Sequence, residues 1–161
     1  MSEARQAQEL SFTTHDGVSL FYRHWPSTLP RRGCVVMFHR GHEHSGRMAH
    51  LVDELGLPDF DVFAWDARGH GRSPGERGYS PSFATSVRDV QTFIEHIRDT
   101  YGIAEEDMAI LAQSVGAVLV STWAHDYAPR IRCLVLTAPA FQVKLYVPLA
   151  RPGLALLQRP F

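Results

Sequence analysis

The sequence predicts a three-layer α/β fold: a mostly parallel sheet, entered through an N-terminal antiparallel hairpin, with helices on both faces. Three observations predict it. An Asp16-Gly17 turn separates two strand-like runs near the N-terminus. Beyond it, short apolar runs alternate with segments of helical period. Finally, one strand-to-helix junction, Ala112-Gln113-Ser114-Val115-Gly116-Ala117, places small residues on both sides of a serine.

Each element has its own signal. Residues 10–14 and 18–25 flank the Asp16-Gly17 turn, and 26–32 is a loop. Residues 34–38 form a continuous apolar run, as expected of a strand buried on both faces. A polar, histidine-rich loop covers 40–46. Met48, Leu51, Val52 and Leu55 have helical spacing over 48–57, which stops at Gly56 and Pro58. The next strand is 61–65, followed by a long Gly/Pro loop over 66–82. Phe83, Val87, Val90, Ile94, Ile97 and Tyr101 recur at alternating steps of four and three, an amphipathic helix ending at Gly102. A strand over 108–113, a helix over 115–128 and a strand over 132–137 complete the series. The tail, 141–161, is apolar with scattered Lys144, Arg151 and Arg159, a composition suited to a cap over a pocket.

Composition narrows the function classes. A chain of 161 residues is one domain by length and buries roughly 70% of its unfolded surface. Hydrophobic residues make up 45% and charged residues 20%, ordinary for a soluble globular protein. With 16 basic and 17 acidic residues the net charge is −1, so no nucleic-acid partner is implied. Cys34 and Cys133 lie inside apolar runs and read as reduced core residues of an intracellular protein. The N-terminus has no apolar signal core, and no apolar stretch reaches 18 residues, so no transmembrane segment is expected. A cytoplasmic enzyme or binding domain is the expectation.

The junction at Ser114 carries the chemistry. Strand, serine and helix in immediate succession form the layout of a nucleophile elbow, whose strained turn tolerates only small neighbours. Such a turn presents the hydroxyl to a base and sets the Val115 amide at a helix N-terminus, where it can bind an oxyanion. The segment alone leaves a second reading open, in which Ser114 only caps the helix.

Three motifs in register decide further. Residues 38–48 (Phe38-His39-Arg40-Gly41-His42-Glu43-His44-Ser45-Gly46-Arg47-Met48) resemble the oxyanion loop of the monoacylglycerol lipase-like, serine aminopeptidase-like branch of the α/β-hydrolases, usually His-Gly-x-Gly-Glu-His-Ser-Gly-Arg. Residues 66–78, from Asp66-Ala67-Arg68-Gly69-His70-Gly71-Arg72-Ser73 to Gly78, are similar to that branch's Asp-x-x-Gly-His-Gly-x-Ser-x-Gly signature. Ala112–Ala117 aligns with Gly-His-Ser-Met-Gly-Gly. The loop and elbow wording is also similar to the hydrolase half of bacterial bifunctional hydrolase/methyltransferase proteins.

The resemblance implies a three-layer α/β-hydrolase-type fold, truncated here after the sixth strand, with 1–140 as the N-terminal part of the core and 141–161 as the start of a cap. It implies Ser114 as nucleophile, the amides of Gly41 and Val115 as oxyanion hole, and a carboxylic ester, an acylglycerol- or lysophospholipid-like lipid, as substrate. No cofactor and no metal are implied. Transient membrane contact through the cap and homo-oligomerisation through an open sheet edge are further expectations.

The departures include Ala112 and Arg40 for glycines, His42 for a second glycine, and Gln113 for histidine. His39, Arg40, His42 and Gln113 are the substrate-adjacent candidates. Arg40 either binds an acidic part of a substrate or points to solvent. The His39, His42, His44 cluster fits no common zinc spacing, and Asp66, Arg68 and His70 read as structural. The family's aspartate and histidine follow the serine on later loops, whereas His125 and Asp126 fall on the elbow's own helix. The 161 residues taken alone are therefore expected to be inactive. The contrasting reading is a non-catalytic or truncated hydrolase-fold domain used for binding or to support a fused methyltransferase domain.

Overall fold

A computed structural model describes residues 5–141. Strands β1 (Gln8–Thr13) and β2 (Ser19–Trp25) form the antiparallel hairpin, closed where the Gly17 amide donates to the Thr14 carbonyl at 3.0 Å. The chain continues through β3 (Gly33–Phe38), α1 (Ala49–Glu54), β4 (Phe60–Trp65), α2 (Phe83–Tyr101), β5 (Met108–Gln113), α3 (Val115–Tyr127) and β6 (Cys133–Thr137). The six strands lie in the order β1-β2-β4-β3-β5-β6, antiparallel across β1, β2 and β4 and parallel from β4 to β6.

Both faces of the sheet are covered, which is why its middle strands are apolar throughout. Every residue of β3 and β4 is buried. Alternation then deals their side chains to two cores. Cys34, Val36, Phe38, Phe63 and Trp65 join the larger core beneath α2 and α3, with Val90, Ile94, Val120 and Trp123. Val35, Met37, Val62 and Ala64 face the smaller core with Met48 and Val52.

Helix α2 begins where the Ser82 hydroxyl accepts the Thr85 amide at 3.0 Å and ends at Gly102 in the left-handed region. Its apolar stripe is as the spacing predicts, with two differences. Phe83 sits in the exposed first turn, and Phe93, outside the stripe, is fully buried. Phe93 is the hub of an aromatic cluster, with ring centroids 4.8 Å from Phe12, 5.3 Å from Tyr22 and 5.9 Å from Trp65. The Arg68 guanidinium binds Asp89 of α2 through two hydrogen bonds, of 2.5 and 2.8 Å, and reaches Asp16 of the hairpin turn at 2.6 Å. This fork fixes the loop after β4 to the helix and the hairpin at once.

Two sequence expectations need correction. The predicted helix over 48–57 is shorter: a 3-10 turn at Ser45–Met48 precedes α1, because His44 accepts the Gly46 amide and tightens the entry. Cys133 is exposed, not a core residue, because among the described residues β6 pairs with β5 alone. The predicted cap, apart from Phe141, lies outside the described residues. No helix among those residues is long and apolar enough to cross a membrane.

Truncating Phe93 tests the aromatic cluster. Phe93→Ala should cost about 3–5 kcal/mol in denaturant unfolding, whereas Leu29→Ala, on the surface, should stay within about 0.5 kcal/mol.

Candidate active site

Strand order decides where a site can form. β4 and β5 flank β3 on opposite sides, so the chain reverses its direction of travel there, and a crevice opens at the carboxyl ends of β3 and β5. Two segments meet in it, the loop that follows Phe38 and the turn that follows Gln113.

Ser114 occupies that second turn with φ 54° and ψ −116°, a conformation that costs a non-glycine residue about 1–3 kcal/mol. Its side chain makes no capping hydrogen bond, so the capping interpretation fails, and the residue is half-buried. The strain is held from both sides. The Ser114 amide donates to Thr137 of β6 at 2.9 Å, and its carbonyl accepts from Val118 at 3.2 Å. Gly116 completes the turn through its lack of a side chain. A Cβ there would stand 2.5 Å from the His39 carbonyl oxygen and 3.0 Å from that of Phe38. The missing atom lets α3 start directly against the end of β3. Val115, first residue of α3, presents its amide in the unpaired first turn, at the positive end of the helix dipole.

The loop after β3 brings Gly41 to the same place, with its Cβ position 3.7 Å from Val115 Cγ2. The neighbouring histidines serve this loop. The Ala67 amide donates to His39 Nε2 at 3.1 Å, so the ring proton is on Nδ1 and donates to the Arg40 carbonyl at 2.7 Å. Burial holds the His39 ring below its ordinary pKa. His44 Nδ1 accepts the Gly46 amide at 3.2 Å. His42, in the position of a family glycine, is exposed with φ 58° and makes no hydrogen bond to Ser114. His125, of which 88% of the side chain is exposed, pairs with Asp126 on α3 and makes none either.

Asp66, fully buried, anchors the loop from below. Its carboxylate accepts the Ser45 amide at 2.6 Å and the Arg72 amide at 2.8 Å. His70 Nδ1 lies 2.8 Å from the Arg68 carbonyl. Asp66, Arg68 and His70 are thus hydrogen-bonded into the framework, as their spacing suggests.

Two cavities flank the elbow. One, of about 300 Å³, is mostly apolar, with Gly41, Trp65, Tyr79, Phe83, Val115 and Leu119 in its wall. The other, of about 490 Å³, has Arg40, Glu43, Arg47, His50, Leu111 and Gln113. Arg40 and His39 border both. Of the sequence candidates, His39, Arg40, Gly41, Gln113 and Val115 line these cavities and His42 lines neither, while Tyr79, Phe83, Arg47 and His50 were missed. Tyr79 is on a loop and Arg47, His50 and Phe83 are on helical turns, and their place at a cavity depends on packing between segments remote in sequence.

Comparison with known proteins agrees with this geometry. Residues 30–161 match the family described as serine aminopeptidase, S33. The chain is 60% identical over 160 residues to the uncharacterized protein YnbC of Escherichia coli K12, covering 99% of this chain and 27% of that protein. It is 34% identical over 137 residues to a monoacylglycerol lipase of Mycolicibacterium smegmatis, covering 82% of this chain and 46% of the lipase. The crystal structure of the Paleococcus ferrophilus monoacylglycerol lipase superposes with a TM-score of 0.62 at 28% identity, over 94% of this chain and 50% of that one. The chain thus spans half or less of each of these relatives.

Two outcomes follow from the packing. Gly116→Ala should destabilise the protein by about 3 kcal/mol, the upper range for overpacking, because the obstacle is backbone. A variant with an unchanged unfolding midpoint would show that the elbow is not pressed against β3. Because the folded pKa of His39 is lowered, the unfolded state binds the extra proton. The stability from neutral His39 is therefore complete above about pH 6.5 and is lost as pH falls from there through the folded value. Ring-nitrogen NMR should find His39 neutral, with its proton on Nδ1, at pH 6.5, where a solvated histidine is half protonated.

Proposed function

The chain belongs to the serine aminopeptidase S33 family, in the monoacylglycerol lipase-like branch of the α/β-hydrolases, and from that membership we propose a serine-dependent carboxylic ester hydrolase. Its substrates on this reading are acylglycerol- or lysophospholipid-like lipids. One observation carries the proposal: Ser114 is held in a strained turn at the mouth of the crevice with no capping role for its hydroxyl. Strain of that kind persists where the surrounding structure enforces it, and here the enforced result is an available nucleophile.

The proposed chemistry runs as acyl transfer. Ser114 Oγ loses its proton to a histidine and attacks the acyl carbon. The amides of Gly41 and Val115 hold the tetrahedral oxyanion, aided by the positive end of α3. Collapse expels the alcohol, protonated by the same histidine, and water then releases the acid by the reverse sequence. The proximity of Gly41 to Val115 supports this pair of donors. The apolar cavity beside them, with Tyr79, Phe83 and Leu119, suits a hydrocarbon limb of the ester. The general base and its orienting carboxylate are assigned to residues outside those described, since His42 and His125 do not engage the serine. The lipase names of the relatives support the choice of lipid esters.

Removal of the nucleophile tests the reading in the whole protein. Ser114→Ala should lower turnover of glycerol monoesters by about a millionfold, and a fluorophosphonate probe should label wild type alone. A purified Ser114→Ala protein that keeps more than about a tenth of wild-type activity, far above the loss expected of a triad nucleophile, places the nucleophile elsewhere.

A further inference from the structure

The larger cavity has a charge that the ester-hydrolase chemistry does not use. Glu43 lies at its wall, only 14% exposed, and joins two guanidinium groups. Arg40 reaches Glu43 Oε1 through Nη2 at 2.7 Å and Nε at 3.0 Å, while Arg47 Nε stands 3.3 Å from Oε2. The hydrogen bond from Arg40 holds the Glu43 carboxyl below its ordinary pKa, so it is ionised. Glu43 and Arg47 occupy the Glu and Arg of the His-Gly-x-Gly-Glu-His-Ser-Gly-Arg motif and balance each other. Arg40, where that motif has glycine, is one cation in excess.

The excess charge has donors to spare. Among the described residues, Arg40 Nη1, both Nη atoms of Arg47 and the side-chain amide of Gln113 have no hydrogen-bond partner. The three side chains line the same cavity at the carboxyl ends of β3 and β5. Gln113 immediately precedes Ser114, so the donors adjoin the proposed nucleophile. Arg40 and Gln113 both depart from the family motifs, and the fold brings both to this one wall. A cavity of about 490 Å³ accommodates a small polar group together with the chain that carries it.

We propose that this cavity is an anion-binding subsite, in which Arg40 and Arg47 take a carboxylate or phosphate on the polar limb of the ester. The inference rests on the ester-hydrolase reading for its placement on the substrate. The anion lies against the free edges of the two guanidinium groups, with the Gln113 amide as a further donor, while Glu43 keeps the two arginines oriented. The apolar cavity on the other side of the elbow takes the hydrocarbon limb. The substrate class is therefore an ester with one apolar and one acidic arm.

Three butyrate esters test this on the whole protein: those of glycerol, glycerol 3-phosphate and glyceric acid. Relative to the neutral ester, kcat/KM for an anionic ester should fall about tenfold or more in Arg40→Gln, the scale of one lost charge-assisted hydrogen bond. Arg40→Lys should recover part of the ratio, since it restores charge without the planar fork. Whichever acid loses more in Arg40→Gln is the one the subsite fits. An unchanged ratio in both Arg40→Gln and the Arg40→Gln/Arg47→Gln double variant overturns the proposal. Should wild type hydrolyse none of the three esters, the ester-hydrolase reading has failed, and calorimetric titration with inorganic phosphate and with acetate reads the cavity alone. Saturable binding of either anion that the double variant abolishes sustains the subsite. Absent binding, or binding that the double variant leaves intact, overturns it.

Discussion

The buried carboxylate of Asp66 is the constraint on which the site depends. It follows β4 with no ion-pair partner among the described residues, and two backbone amides donate to it instead. One is from Ser45, on the loop after β3, and the other from Arg72, on the loop after β4. A buried ion without such partners costs several kcal/mol, so the two loops cannot leave it independently. Around it the bonding closes further. The Ser73 hydroxyl donates to the Asp66 carbonyl and accepts the Phe21 amide, which fixes β2 to the same loop. Gly71 completes the arrangement, since any side chain there would collide with the Asp66 carboxylate. The aspartate, glycine and serine of the signature are thus parts of one clamp.

Much of the fold was legible because local and global demands agree along most of the chain. The runs at 34–38 and 61–65 read as strands, the first as one buried on both faces, and they are β3 and β4. The helix at 83–101 announces itself by its period, its serine and its glycine. Legibility fails where tertiary context overrules composition. Cys133 sits in as apolar a run as Cys34, yet one is on the outermost described strand and the other at the sheet's centre. Strand order separates them, and no property of either run encodes that order. Phe93 is buried off the helix stripe because aromatic rings from β1, β2 and β4 surround it.

The site divides in the same way. The elbow could be read from Ser114 and its small neighbours because steric exclusion operates within a few residues. Its tightest contact, Gly116 against the carbonyl of His39, joins segments remote in sequence, and only the position of the glycine hints at it. The capping alternative for Ser114 could not be removed from the chain alone, since a capping serine and a strained one share their neighbours. The two cavities were legible only in part, through His39, Arg40, Gly41, Gln113 and Val115. Their walls combine strand ends, a 3-10 turn, helical turns and loops, and Arg47, His50, Tyr79 and Phe83 look like ordinary surface until the others arrive.

The position of β3 has a consequence for how the molecule comes together. Phe38 lies beside Ala112 in the finished sheet, but an entire strand and the long α2 must first be laid down between them. The β3–β4 pairing closes a short loop and loses little entropy, whereas the β3–β5 pairing closes a long one. Contacts of that range form slowly relative to local ones. The crevice exists only once the longer loop has closed, so the strained serine is created late, by a sheet already consolidated around the hairpin and β4. A chain in which β3 and β5 have not yet paired therefore has no crevice, and its Ser114 is not held in the strained turn.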